Sequence, residues 1–309
     1  MLLNAAQDLK EEILARLPSL ILHRGEESQA PTPIAIGVAT TTRANQYRIA
    51  VRPQSDDALS KDVRSYLKRA SSSELDIRVT GPIRPASLPL HIGESTGHRS
   101  GCTGTIGFFA RSADGKIGFV SNNHVIAAED AGLDGDEILH PGFADGGTLS
   151  ADVVGYLVGG YPLLRDAFPV ADCAFAQLAD GVNFDVESLG RGEKLKPTPI
   201  RATKRLRVRK IGRTTRRTSG RVTAFSLDDV VINYACGDAR FNGQIEIESN
   251  DKKPFSLPGD SGSLIYASHG DPVGLLYAGS AAGGKTNSGL TYAHPIETVL
   301  DVLRVTLMT

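Results

Sequence analysis

The sequence predicts a mainly β protein preceded by a small α/β module, and three observations carry that prediction. From about Thr105 onward, short apolar runs alternate with glycine and polar turns, the pattern of an all-β sandwich or barrel. Two of those runs, 105–111 and 116–121, flank Asp114-Gly115, a strong hairpin signal. Residues 1–80 instead interleave helical and strand periodicities.

Within 1–17, Leu2, Leu3, Ala6, Leu9, Ile13, Leu14 and Leu17 recur at helical intervals between charged residues, which predicts an amphipathic packed or partner-docking helix. Pro31 and Pro33 break the pattern. Runs 34–41 and 46–52 alternate as a hairpin, and Ser55 or Asp56 caps a helix over 58–69 with Leu59, Val63, Tyr66 and Leu67 on one face. A strand over 74–80 completes the module. It holds no cluster of acid, base and nucleophile, so a regulatory, partner-binding or structural role is expected. A linker rich in Gly and Pro follows from Gly81 to Gly101. Further strands are expected at 152–158, 173–178, 206–211, 221–226, 230–234, 244–249, 264–266 and 273–278. Pro295 then opens a helix over about 295–305. The resulting division is 1–95 for module and linker, and 96–309 for the β domain.

Composition removes several classes. With 309 residues the core needs no covalent staples, and a net charge of -1 gives no whole-molecule attraction to nucleic acid or membrane. Cys102, Cys173 and Cys236 form no CxxC pair, so neither a disulfide scaffold nor a zinc site is indicated, and no cofactor is implied. No run reaches the roughly 20 apolar residues of a membrane span, and the N-terminus lacks the order of a signal peptide. The protein reads as cytoplasmic. Residues 194–227 hold twelve Lys and Arg and no acid. A solvated barrel face is the expected reading, because no aromatic residue precedes Phe225 to offer bases a stacking platform.

The chemistry gathers around Gly259-Asp260-Ser261-Gly262-Ser263, a tight turn that carries a serine into an apolar strand. A serine hydroxyl needs a base, an orienting acid and a site for the developing oxyanion. Of seven histidines, His124 is the best base, since it follows an apolar strand at a turn where a scaffold holds it rigidly. Asp172 leads an apolar strand and is the favoured acid, with Asp166 in the preceding loop as its rival.

Ser-Asn-Asn-His at 121–124, Ala-Asp-Cys-Ala-Phe at 171–175 and Gly-Asp-Ser-Gly at 259–262 resemble the His, Asp and Ser motifs of trypsin-like serine peptidases, in that family's chain order. Together with 135–142, Asp145-Gly146-Gly147 and Lys210–Thr215, they look most similar to the narrow-leaf-type trypsin-fold proteases of plants and their bacterial relatives. The resemblance implies a double six-stranded β-barrel, with barrel 1 over about 100–185, barrel 2 over about 196–290 and the active site between them. It implies His124, Asp172 and Ser261 as the triad, acting on protein or peptide substrates. The Gly259 and Ser261 N–H groups become the oxyanion hole, and residues 273–280 the strand that pairs with substrate. Phe255, Ser256, Tyr277, Ala278 and Gly279 fall at the specificity pocket. With no carboxylate among them, a small or apolar substrate residue is expected rather than Arg or Lys.

Val125 and Leu257 stand where secreted members carry cysteines, in keeping with a reducing compartment. No cleavage site precedes an Ile-Val-type new N-terminus, so insertion of such an amine near Asp260 has no sequence support. Two other readings stay open at this level. One is a binding or scaffold protein built on the same fold. The other is a protease held latent by 1–95 or by homo-oligomerisation until a regulatory partner binds.

Overall fold

In the computed structural model, the described residues are 1–21, 34–55, 58–70, 74–80, 89–163 and 168–309. Apolar periodicity in the first of two compact units, Met1–Ser87, produces α1 (Leu3–Ile21), β1 (Ile34–Thr40), β2 (Tyr47–Pro53), α2 (Lys61–Ala70) and β3 (Leu75–Ile77). β2 lies between antiparallel β1 and parallel β3. Ala6 and Ile13 of α1 and Val63 and Leu67 of α2 bury against Ile49 and Val51 of β2. α2 starts later than the sequence suggests. The Ser60 hydroxyl, not that of Ser55, accepts a first-turn amide (Val63 N–H, 3.3 Å), so the helix begins at Lys61, and Asp56 lies outside the described residues.

The second unit, Leu88–Thr309, holds two β layers. Its strands are β4 (Ser95–His98), β5 (Gly104–Thr105), β6 (Phe108–Ser112), β7 (Ile117–Ser121), β8 (Glu137–Leu139), β9 (Val153–Gly160), β10 (Ala174–Leu178), β11 (Arg207–Gly212), β12 (Arg216–Leu227), β13 (Val230–Tyr234), β14 (Gly237–Phe241), β15 (Gln244–Ser249), β16 (Leu264–Ala267), β17 (Pro272–Gly279), β18 (Leu290–Pro295) and β19 (Val305–Leu307). Two helices accompany them, α3 (Asn123–Ile126) and α4 (Ile296–Leu303). β11, β12, β15, β18, β17 and β16 close a six-stranded barrel around Val208, Val222, Ile245, Ile247 and Ile265.

The first half is an eight-stranded sheet, β19-β6-β7-β10-β9-β8-β4-β5, and it does not close on itself through strand pairing. The two ends of that sheet are built differently. The C-terminal helix stops at Leu303, because Arg304 turns left-handed (φ 52°), and the chain continues as β19 along β6. At the other end, the Thr105 N–H is donated to the carbonyl of Ser261 (2.8 Å). The sheet edge is thus sealed by the turn that carries the serine.

The basic stretch is largely neutralised. Of its twelve Lys and Arg, eight pair with a carboxylate, among them Arg201 with Glu297, Arg209 and Arg217 with Glu193, and Arg221 with Glu248. No helix of the described residues is long and apolar enough to cross a membrane.

Candidate active site

β7 carries the chain straight to His124, in the single turn of α3. The residues before it each fix this turn to a neighbour. Ser121 Oγ donates to Thr105 O (2.8 Å), Asn122 Nδ2 to Asp172 O (2.7 Å), and Asn123 Nδ2 to Tyr161 O (2.9 Å) and Asp130 Oδ1 (2.6 Å). β10 runs antiparallel to β7 with Ala174 opposite Ser121, and continuing that register sets Asp172 opposite Asn123, one residue from His124. His124 Nδ1 donates to Asp172 Oδ2 at 2.5 Å, and the His124 backbone N–H to Oδ1 at 3.2 Å. Asp166 lies outside the described residues.

Asp172 is fully buried, which would cost several kcal/mol for a lone ionised carboxylate. Burial alone would raise its pKa. The charge and hydrogen bond of His124, aided by the Tyr234 hydroxyl, overcome this and hold the carboxyl below its usual range. Burial would likewise depress His124, but the Asp172 charge and hydrogen bond, with Glu129 nearby, leave the imidazole above its ordinary 6.5. His294 behaves differently. Burial brings its pKa down to about 3 against the pull of Asp172, so it is neutral, and its Nε2 accepts the Asp172 N–H (2.9 Å).

The serine turn is organised by a second buried carboxylate, Asp260. It accepts the N–H groups of Leu257 (3.0 Å), Thr214 (2.9 Å) and Thr215 (3.1 Å) and the Thr215 hydroxyl (2.7 Å), and it pairs with Lys210 Nζ at 3.0 Å. Both charges of that pair have no solvent exposure. Thr105 Oγ1 donates to Gly259 O (2.9 Å) and Thr214 Oγ1 to Pro258 O (2.8 Å), clamping the backbone just before Ser261. Gly262 is left-handed (φ 92°), and a Cβ there would lie 2.3 Å from both Ser121 Oγ and Thr105 O, so only glycine lets the turn seat against β7. A Cβ at Gly104 would meet the Val125 side chain at 2.6 Å and Ser261 O at 2.8 Å, which puts Ser261 across from the residue next to His124. Among the described residues, the N–H groups of Gly259 and Ser261 donate to nothing, and Ser261 Oγ makes no hydrogen bond, including none to His124. Catalytic hydrogen bonds of unliganded sites are often long and tighten only around substrate.

A closed six-stranded barrel beside a second β layer is matched among solved structures. A glutamic acid specific serine protease superposes with a TM-score of 0.50, at 21% identity, over 71% of this chain and 100% of its own. This chain has the trypsin fold. The chymotrypsin of Cellulomonas bogoriensis (TM-score 0.48, 23% identity) and the Nocardiopsis protease NAPase (0.49, 20%) are also similar, each over 72% of this chain and 100% of its own. In sequence, Protein NARROW LEAF 1 of Oryza sativa subsp. japonica is 28% identical over 214 residues, 59% of this chain and 35% of that protein. The chain therefore spans about a third of that relative's length. No protein-family model matches it.

Within this trypsin fold the expected substrate-pocket residues separate into two groups. Ser256 Oγ is bonded to Thr291 Oγ1 (2.7 Å), and the place a Cβ would take on Gly279 is 3.5 Å from Ser256 Oγ, so these residues are neighbours. Ala278 is half-buried and Gly279 exposed at the end of β17. Phe255 and Tyr277 do not belong with them. The Phe255 ring lies in the barrel core, and Tyr277 is buried with its ring stacked on His294 at 3.9 Å. Both are apolar rings at inward positions, where burial is worth more than contact with a passing substrate.

Sequence reasoning missed Lys210, Tyr234 and His294. Lys210 had a legible signal, since it shares the inward-facing alternation of β11 with Val208. Lys210→Met leaves Asp260 buried without its cation, and a loss of about 3–5 kcal/mol in unfolding free energy is expected by denaturant titration. Adding Asp260→Asn should recover part of that loss, as a coupled pair requires.

Proposed function

We infer that the chain is a serine endopeptidase that cleaves protein substrates through an acyl-enzyme, with Ser261 as nucleophile, His124 as general base and acid, and Asp172 as its orienting carboxylate. The observation that carries this reading is the 2.5 Å hydrogen bond from His124 Nδ1 to a carboxylate with no solvent exposure. A buried carboxylate bonded to an imidazole Nδ1 stabilises an imidazolium formed during proton transfer, which a binding or scaffold protein does not need. The bond also fixes the tautomer. With its proton on Nδ1, the neutral ring keeps a lone pair on Nε2 for the serine proton.

As Ser261 Oγ attacks a peptide carbonyl, its proton passes to His124 Nε2, and the carbonyl oxygen becomes an oxyanion. The unengaged N–H groups of Gly259 and Ser261 are the donors suited to receive it, held by the Thr105 and Thr214 clamps. Collapse of the tetrahedral species expels the amine, which takes the proton from His124. Water then repeats the sequence against the acyl-serine. The Lys210–Asp260 pair supplies the cation that holds Asp260 in place, so this turn needs no inserted N-terminal amine. Ser256, Ala278 and Gly279 would receive the substrate side chain, beside the Thr291 hydroxyl. The neighbouring carboxylate, Glu248, is already committed to Arg221 and the Lys285 N–H. A small or uncharged substrate residue fits better there than Lys or Arg. Residues 1–87 would serve as a regulatory or partner-binding module.

A fluorophosphonate probe should label wild-type protein on Ser261 and fail on Ser261→Ala, read by intact mass and peptide mapping. Labelling that survives the substitution, or a wild type that never labels, rejects the reading. Only neutral His124 accepts the serine proton, and Asp172 raises its pKa. The acid limb of kcat/KM should therefore fall as pH drops through a value above 6.5, measured with a fluorogenic peptide.

A further inference from the structure

Between β12 and β15 the chain leaves the closed barrel and makes a separate hairpin of β13 and β14, with Ala235-Cys236 as its two-residue turn. Alternation sends Val231 and Asn233 to solvent and Tyr234, Ala239 and Phe241 inward, against Leu163 and Tyr277. The Tyr234 ring lies 5.8 Å from that of His124, and its far side packs edge-on against Phe241. Its hydroxyl donates to Asp172 Oδ2 at 2.8 Å, the same oxygen that receives His124 Nδ1.

The hairpin is also tied at its tip. The Cys236 N–H donates to Glu129 Oε2 (2.9 Å). Glu129 sits in a run of three left-handed residues, Ala128 (φ 50°), Glu129 (56°) and Asp130 (69°), directly after α3. Such a run is costly and persists only where its surroundings over-determine it. Here Asp130 exchanges hydrogen bonds with Asn123, beside His124, and accepts the Leu163 N–H at 2.8 Å. One hairpin thus holds both the loop after the imidazole and the carboxylate that orients it.

We propose that Tyr234 is a positioning residue of this site: its hydroxyl fixes Asp172 Oδ2 and tempers its basicity, and so sets both the aim and the proton affinity of His124. The proposal rests on the peptidase reading of His124, Asp172 and Ser261. A phenol beside a buried carboxylate can only donate, because burial and the Asp172 charge push its own ionisation far above the physiological range. The other titratable groups around Asp172 and Tyr234 are His124, His294, Tyr277, Glu129 and Cys173; His294 is neutral, and burial with the Asp172 charge keeps the Cys173 thiol protonated.

Tyr234→Phe keeps the ring and its packing and removes one donor. Oδ2 then has only His124 to satisfy it, the carboxylate becomes a stronger base toward Nδ1–H, and the imidazolium is favoured. NMR titration of the His124 ring should move upward by more than about 0.3 pH unit, and the acid limb of kcat/KM should follow. Loosened aim should lower kcat about tenfold with KM unchanged, as expected for loss of a hydrogen bond to a charged group. An unmoved His124 titration overturns the proposal, whether activity is retained or lost, because a merely structural tyrosine would lower activity without touching the imidazole. Fluorophosphonate labelling of the wild type separates the two ideas. If wild type labels and the titration is unmoved, the positioning role alone fails. If wild type never labels, the peptidase reading fails, and the titration, which needs no turnover, still decides for or against Tyr234.

Discussion

A carboxylate shut away from water is stable as an anion only if every lone pair it presents is answered, and Asp172 is answered from several elements at once. α3 gives the backbone and ring N–H groups of His124, and the hairpin of β13 and β14 gives the Tyr234 hydroxyl. Its own backbone is fixed by Asn122 and by His294 of β18. These groups come from both β layers of the second unit, so the barrel and the sheet meet correctly only when this carboxylate is satisfied. What looks like a catalytic detail is also a constraint on assembly. Losing any one donor exposes the rest to the cost of an unpaired buried charge.

Asp260 solves the same problem for the other half of the site with different chemistry. It draws three backbone amides, one hydroxyl and a buried lysine onto one side of the serine turn. Thr105 binds the opposite side through the carbonyls of Gly259 and Ser261. The turn is therefore held from both sides, and the N–H groups of Gly259 and Ser261 are left without an acceptor among the described residues. The proposed oxyanion hole requires that arrangement, because donors that must reorganise during reaction lose most of their effect.

The fold and the centre of the site were legible because their signals are local. Alternation, glycine turns and the Asp114-Gly115 hairpin announced the β domain, and His124, Asp172 and Ser261 each sit at the end or start of an apolar run. The elements that sequence missed lack such a local signal. β19 is three residues whose identity as a strand exists only beside β6, and β14 carries Asp238 and Arg240 on its solvent face, which dilutes its apolar alternation. Tyr234 lies 62 residues from Asp172 and His294 lies 122 away, so nothing in the spacing joins them. Phe255 and Tyr277 were placed in the pocket by motif position, yet their rings fill cores, where a large ring gains more from burial than from contact with a passing side chain. Lys210 is the instructive exception, a cation on an inward register that announces a buried acid.

The account turns on Ser261 forming a covalent acyl-enzyme with His124 as its base. Pre-steady-state mixing with an activated p-nitrophenyl ester tests this most directly, since acylation that outruns deacylation releases nitrophenol in a burst. The account predicts a burst close to one equivalent per chain, abolished by Ser261→Ala and slowed below the His124 pKa. A linear release without a burst when acylation is shown to be faster than turnover, or a burst that persists in Ser261→Ala, would contradict it.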